Sequence, residues 1–348
     1  MDKEQEKTLY RIGYVLILVC ISIPLFAEYV MDNPSILNQL EWVENIVQHP
    51  GLCGEQIWFW IPVLLRCIGF TITASYRISM ILAHMLSFGA VIWFGMRIFH
   101  EKKQVFILTA LYLLNPIYLS FSYEQMCPDV LILWAVIPLV CGTVADLSRR
   151  VRRNRGERSL EKVKQNKTNG EKTSGRESLS YGIYVVSLIL SVCLVIHFAG
   201  MAHDNISQRI PGYTLGQMFH TFSYEEGYPG MGIGIIAAVI LLGWQRIAWN
   251  RNIEKKFWIY GVAAVFCMIL ASAFFAWQIP AVFLGCSMLP LSVLGTLGVT
   301  GFEEKDGGFL HLALPVILLI TLVGAAVYLC NDLTYTHMPL FLKDGMIQ

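Results

Sequence analysis

The chain has 348 residues, of which 55% are hydrophobic and 15% charged, with a formal net charge of +1. A soluble protein of this length carries about 25% charged residues, so the composition excludes an ordinary soluble globular protein. The near-zero net charge excludes a broad electrostatic attraction to nucleic acid. Long apolar stretches follow one another with short polar breaks, the pattern of an all-α polytopic membrane bundle.

The first apolar segment, 10–27, follows Lys3, Lys7 and Arg11 and has no small-residue cleavage pattern, so it is expected to be retained as a first span. A polar stretch, 28–76, comes next. It contains Glu28, Asp32, Glu41, Glu44 and Glu55, and the helical spacing Ile36, Leu37, Leu40, Val43, Ile46, Val47. Its end, 57–72, is apolar but short. It opens with Trp58-Phe59-Trp60, contains Pro62 and carries Arg66 at its centre. An arginine at mid-bilayer costs about 2.5–3.5 kcal/mol on insertion scales, and Trp-rich ends favour the membrane interface. This piece is therefore expected to lie along the membrane surface and not to cross. Segments 78–99, 105–122 and 129–147 are the next expected spans.

From Arg149 to Arg176 the chain turns basic, with eleven Lys and Arg, no apolar periodicity and many Gly, Ser, Thr and Asn residues. That composition predicts a disordered cytoplasmic loop over 149–179. Five more apolar segments follow, 180–199, 230–248, 257–277, 280–300 and 309–330, before a short tail, 331–348. The chain thus divides into an N-terminal membrane module, 1–148, the basic loop, and a C-terminal membrane module, 180–330.

Lys and Arg counts set the sidedness. With 57–72 on the surface, about nine spans remain, the N-terminus lies in the cytoplasm and the C-terminus outside. The inside segments then hold 22 of the 26 Lys and Arg, leaving Arg66, Arg77, Arg209 and Lys343 outside. The acidic and aromatic stretches gather on the outer face.

Two outer stretches carry further detail. Glu28-Tyr-Val-Met-Asp32 follows the first span directly. Asn115-Pro116-Ile-Tyr leads to Tyr123-Glu124-Gln-Met-Cys-Pro128-Asp129, with an apolar helix expected after it. This arrangement resembles the N-terminal part of GT-C-type membrane glycosyltransferases over roughly residues 8–147. It departs from them in its short length, in the absence of a C-terminal external domain, and in the four-residue separation of Glu28 and Asp32. The resemblance implies an enzyme of the outer face of a membrane, expected to be the bacterial cell membrane, that moves a sugar from a polyprenyl-phosphate donor. Its partners would be membrane lipids and that donor, with no nucleic acid.

Such a transfer needs a base at the acceptor hydroxyl and positive charge beside the leaving phosphate. Asp32 and Glu28 are the candidate bases. Arg66 and Arg77 are the candidate phosphate ligands, because a guanidinium pairs with phosphate oxygens bidentately. Glu124 and Asp129 could hold a divalent cation through oxygen ligands. Each residue also has a plain structural reading. Glu28 and Asp32 can mark a span end, Glu124 can be solvated, Asp129 can be an ordinary helix N-terminal acid, and the arginines can snorkel to headgroups. His84, His197 and His311 read as packed residues of apolar segments. Two other functions fit the same sequence: a non-enzymatic membrane component of a cell-surface glycan assembly system, and a transporter or lipid flippase. The scarcity of ionisable residues at span centres argues against transport.

Overall fold

A computed structural model describes residues 3–26, 34–50, 60–99, 101–123 and 128–163, with residues 285, 288–293, 295 and 296. Among the described residues the elements are helices and no strand occurs. Helix α1, Lys3–Ser22, passes into a 3-10 turn, Ile23–Phe26. Pro24 ends the regular helix because it lacks an N–H and disfavours helical backbone in the residue before it. One face of α1 packs inward. Tyr10 and Tyr14 set their rings 5.7 and 5.3 Å from Phe106, and Gly13 lets the same ring approach. The opposite face exposes Leu9, Ile12, Leu16 and Val19.

Helix α2, Pro34–Gln48, starts at a proline, which suits the first helical position. It buries Gln39, Leu40, Val43 and Ile46 and turns Glu41, Asn45 and Gln48 outward. Helix α3, Trp60–Cys67, has eight residues. At 1.5 Å per residue it extends about 12 Å, well short of a bilayer's apolar thickness of about 30 Å. Gly69 stops it at φ 110°, with Phe70 N–H donating to the Leu65 carbonyl and Gly69 N–H to the Arg66 carbonyl. This is the left-handed stop that glycine supplies without a Cβ clash.

Thr71 then caps helix α4, Ile72–Ile98, by accepting from Ala74 N–H at 3.3 Å. The helix therefore begins six residues before the expected span 78–99. It is apolar on two sides. Met80, Ala83, Ala90, Val91 and Phe94 are buried in the bundle, while Leu82, Met85, Leu86 and Met96 are exposed. A helix that is apolar all round suits lipid on its outer side.

The expected span 105–122 is two helices, α5, Lys102–Leu113, and α6, Pro116–Tyr123. Pro116 breaks it, since the residue before a proline leaves helical geometry and Pro offers no N–H to the ladder. Helix α7, Pro128–Val163, has 36 residues. It does not stop at 147. The first half of the basic run is helical to Val163, where composition had suggested disorder from 149 onward. Its arginines, lysine and glutamates are good helix formers, and extending a formed helix avoids the cost of a new nucleus.

Helices α4 and α7 form the principal contact and run parallel. Ser87 Oγ donates to the Leu131 carbonyl at 3.3 Å, and Arg97, in the last turn of α4, pairs with Asp146 at the middle of α7 at 2.8 Å. Gly142 makes the close approach, because a Cβ there would lie 3.3 Å from Phe94 Cα. Pro138 interrupts the α7 ladder and deprives the Trp134 carbonyl of its usual donor. Tyr112 Oη from α5 donates to that carbonyl at 3.1 Å. The described residues between 285 and 296 are helical, lie within the expected span 280–300, and are buried. Gly285 packs on the Trp134 ring and Gly295 on Leu111.

By length and composition, α4 and the Pro128–Leu147 part of α7 can each cross a membrane. The expected spans 180–199, 230–248, 257–277 and 309–330 lie outside the described residues, as do the second half of the basic run and the tail.

Candidate functional site

Arg66, Arg77 and Asp129 lie among the described residues; Glu28, Asp32 and Glu124 lie outside them. The structure gives the three described residues different circumstances.

Arg66 closes α3 onto α2. Its Nε and Nη2 donate to the two carboxylate oxygens of Glu44 at 3.0 and 3.2 Å, and its Nη1 lies 3.5 Å from the Phe70 carbonyl. Hydrogen bonding to Glu44 holds the guanidinium charged and raises its pKa above the ordinary arginine value. The bidentate edge that would meet a phosphate is thus turned to a carboxylate of the same chain. A phosphate on Arg66 would have to displace Glu44. In the sequence Glu44 is one of several acids, and nothing there pairs it with a residue 22 positions away.

Arg77 sits near the start of α4, beside Tyr76, which donates to Gln39 Oε1 and ties α2 to α4. Its side chain is half-buried, and its Nε is buried without a hydrogen-bond partner. No ion pair engages it among the described residues. An unsatisfied buried donor costs about 1–3 kcal/mol, and a cationic group is the most demanding case. Arg77 therefore keeps the donor capacity that Arg66 has spent.

Asp129 is the second residue of α7 and is half-buried. A carboxylate in the first turn is favoured by the unpaired N–H groups there, which is the plain reading of this residue. Its position along the bundle follows from the Ser87–Leu131 contact, the nearer of the α4–α7 contacts. Measured outward along the helix axes from that contact, Arg77 is about 15 Å away and Asp129 about 3 Å. The two side chains therefore lie toward the same end of the parallel pair, Arg77 about two turns farther out.

The opposite end is built differently. Asp146 accepts from Arg97 at 2.8 Å and from Arg150 at 2.9 Å. The Arg97 guanidinium also lies 4.2 Å above the Trp93 ring. The arginines here are paired, and they lead into the basic extension of α7.

Between the two ends lies a polar group that sequence reading did not assemble. His84, at the middle of α4, is fully buried, with Nδ1 3.0 Å from Tyr118 Oη and Nε2 without a partner. Tyr112 and Ser87 are buried nearby through their bonds to α7. The packed reading of His84 agrees with its burial. The lone histidine in an apolar run was the available signal, but its tyrosine partner lies 34 residues away and only packing joins them.

Among the described residues no three His, Cys, Asp or Glu side chains come together as a metal-binding group. Asp129 is the one member of the expected cation-binding pair that is described. No family model matches the chain, and neither a curated protein nor a solved structure matches it.

Proposed function

We propose that this chain is a polytopic membrane glycosyltransferase of the GT-C type, taking sugar from a polyprenyl-phosphate donor at the outer face of a bacterial cell membrane. The observation that carries the reading is Arg77: an arginine with a buried, unpartnered Nε, at the same end of the α4–α7 pair as a half-buried acid. The Lys and Arg distribution supports assigning that end to the outside.

In this reading Arg77 binds the donor phosphate and stabilises the charge that grows as the sugar–phosphate bond breaks. Asp32 or Glu28 takes the proton of the acceptor hydroxyl. The products are the glycosylated acceptor and free polyprenyl phosphate. Asp129, with Glu124, supplies oxygen ligands for a divalent cation, which would add positive charge beside the phosphate. Arg66 braces the outer helices through Glu44 and stays out of the chemistry.

The test uses membranes containing the full chain and a panel of polyprenyl-phosphate sugars, with release of polyprenyl phosphate as readout. Arg77→Gln reduces release at least about a hundredfold, as loss of a transition-state charge partner does, and Asp129→Asn, which weakens the hold on the cation beside the phosphate, reduces it comparably, both at unchanged membrane accumulation. Arg66→Gln retains most activity. Full activity in both Arg77→Gln and Asp129→Asn refutes the assignment. No release by the wild-type chain with any donor refutes the enzyme and leaves a non-enzymatic membrane component.

A further inference from the structure

The part of α7 beyond Leu147 has no role in the site. It continues a membrane-length helix without a break to Val163. Continuity fixes its placement, because a helix cannot slide relative to its own span. If Pro128–Leu147 crosses the bilayer, the next turns must pass through the headgroup layer, which is about 5–8 Å thick on each side. Arg149, Arg150, Arg152 and Arg153 occupy those turns.

Three further observations bear on what this segment meets. Asp146, one residue inside the boundary, is held by Arg97 and Arg150, and Trp93 lies under Arg97. An aromatic ring and paired charges at one level are typical of a span's polar boundary. Arg150 keeps 73% of its side chain exposed even while paired. Over 149–163 the chain has seven Lys and Arg against Glu157 and Glu161 alone. At 100° per residue the seven positions are spread around the helix register and not confined to one stripe. Val151, Leu160 and Val163 do not form the apolar stripe that inserting surface helices use.

We propose that the first turns of this extension, 148–153, form the anionic-lipid-binding part of a rigid arm, a continuation of α7 whose arginines engage phosphate headgroups of the leaflet they emerge from. The inference rests on the membrane-crossing part of the functional proposal but not on sugar transfer. The shape differs from a floppy basic loop in one testable respect. A helix locked to a span holds its cations at the headgroups permanently, so it selects nearby lipids instead of merely attracting the surface.

The experiment extracts the full chain into mixed micelles of phosphatidylcholine with a minor fraction of phosphatidylglycerol, purifies it, and quantifies the retained lipids by mass spectrometry. The wild-type chain enriches phosphatidylglycerol about fivefold over the input, the partition that one headgroup-level cation supports. High salt removes most of the enrichment. The combined substitution Arg149→Gln, Arg152→Gln and Arg153→Gln returns retention to the input ratio, while the chain still purifies as a folded, monodisperse species. Retention equal to the input in the wild-type chain, or enrichment that survives the substitution, overturns the proposal. Binding of a DNA duplex to the arm that phosphatidylglycerol does not compete away also overturns it. A chain that stays in solution without detergent or lipid overturns the membrane reading itself, a result distinct from all of these.

Discussion

Gly142 and Gly89 provide a paired test of the α4–α7 interface, because the same substitution should have opposite signs at the two sites. Both are interior helical positions, where replacing Gly by Ala gains about 0.5–1 kcal/mol from backbone entropy alone. At Gly89 a new Cβ meets nothing within 4 Å, so the gain stands. At Gly142 the Cβ would lie 2.7 Å from Trp93 Cδ1, 2.9 Å from Trp93 Nε1 and 3.3 Å from Phe94 Cα. The indole is held under Arg97, which is itself paired to Asp146, and Phe94 presents backbone that cannot rotate away. Overpacking of this kind costs about 1–3 kcal/mol. Gly142→Ala should therefore be destabilising by about 1 kcal/mol net, and Gly142→Val, which adds two more methyl groups, by about 3 kcal/mol. The assay is the thermal midpoint of the purified chain in detergent, followed by fluorescence-detected size exclusion. A rise with Gly89→Ala and a fall with Gly142→Ala are expected. Equal stabilisation by both would refute the close parallel packing of α4 on α7.

Two further substitutions probe the polar contacts of the same bundle. Tyr112→Phe removes the hydroxyl that donates to the Trp134 carbonyl and should cost about 0.5–1.5 kcal/mol, the net worth of one hydrogen bond. Pro138→Ala restores a backbone N–H beneath that carbonyl, so the Tyr112→Phe penalty should shrink in its presence, measured as the coupling energy of a double-mutant cycle. Asp146→Asn deprives Arg97 and Arg150 of their shared partner. A loss of about 1–2 kcal/mol is expected, between the exposed and the buried limits for ion pairs, and read as a lower thermal midpoint.

Much of the N-terminal helical order was legible because apolar runs report helices directly. The run 129–147 contains a membrane-length helix, the spacing from Ile36 to Val47 is a helix, and the described part of 57–72 holds the short helix α3, which Gly69 ends. The break at Pro116 was visible as a residue but was averaged away by the apolar residues on both sides. Thr71 starts α4 six residues early through a cap bond that leaves no hydrophobic signal. The helical start of the basic run was hidden because apolar periodicity reports burial, whereas this segment is helical by propensity and by extension of α7. The site was legible as residue types and not as pairings. Arg66 and Arg77 looked equivalent in sequence, and only the fold shows that Glu44 occupies Arg66 while Arg77 Nε is buried without a hydrogen-bond partner.

Which end of the bundle faces out decides where the proposed site lies, and native Cys67 makes this measurable. Cys67 is an exposed thiol beside Arg66, and Leu160→Cys places a second in the basic extension of α7. Intact cells are treated with a membrane-impermeant thiol reagent and the modified peptides are identified by mass spectrometry. Modification of Cys67, with the thiol at position 160 reacting only after the cells are opened, is the predicted result. Modification at position 160 in intact cells, with Cys67 protected until lysis, would turn the protein over in the membrane and contradict the outer-face site.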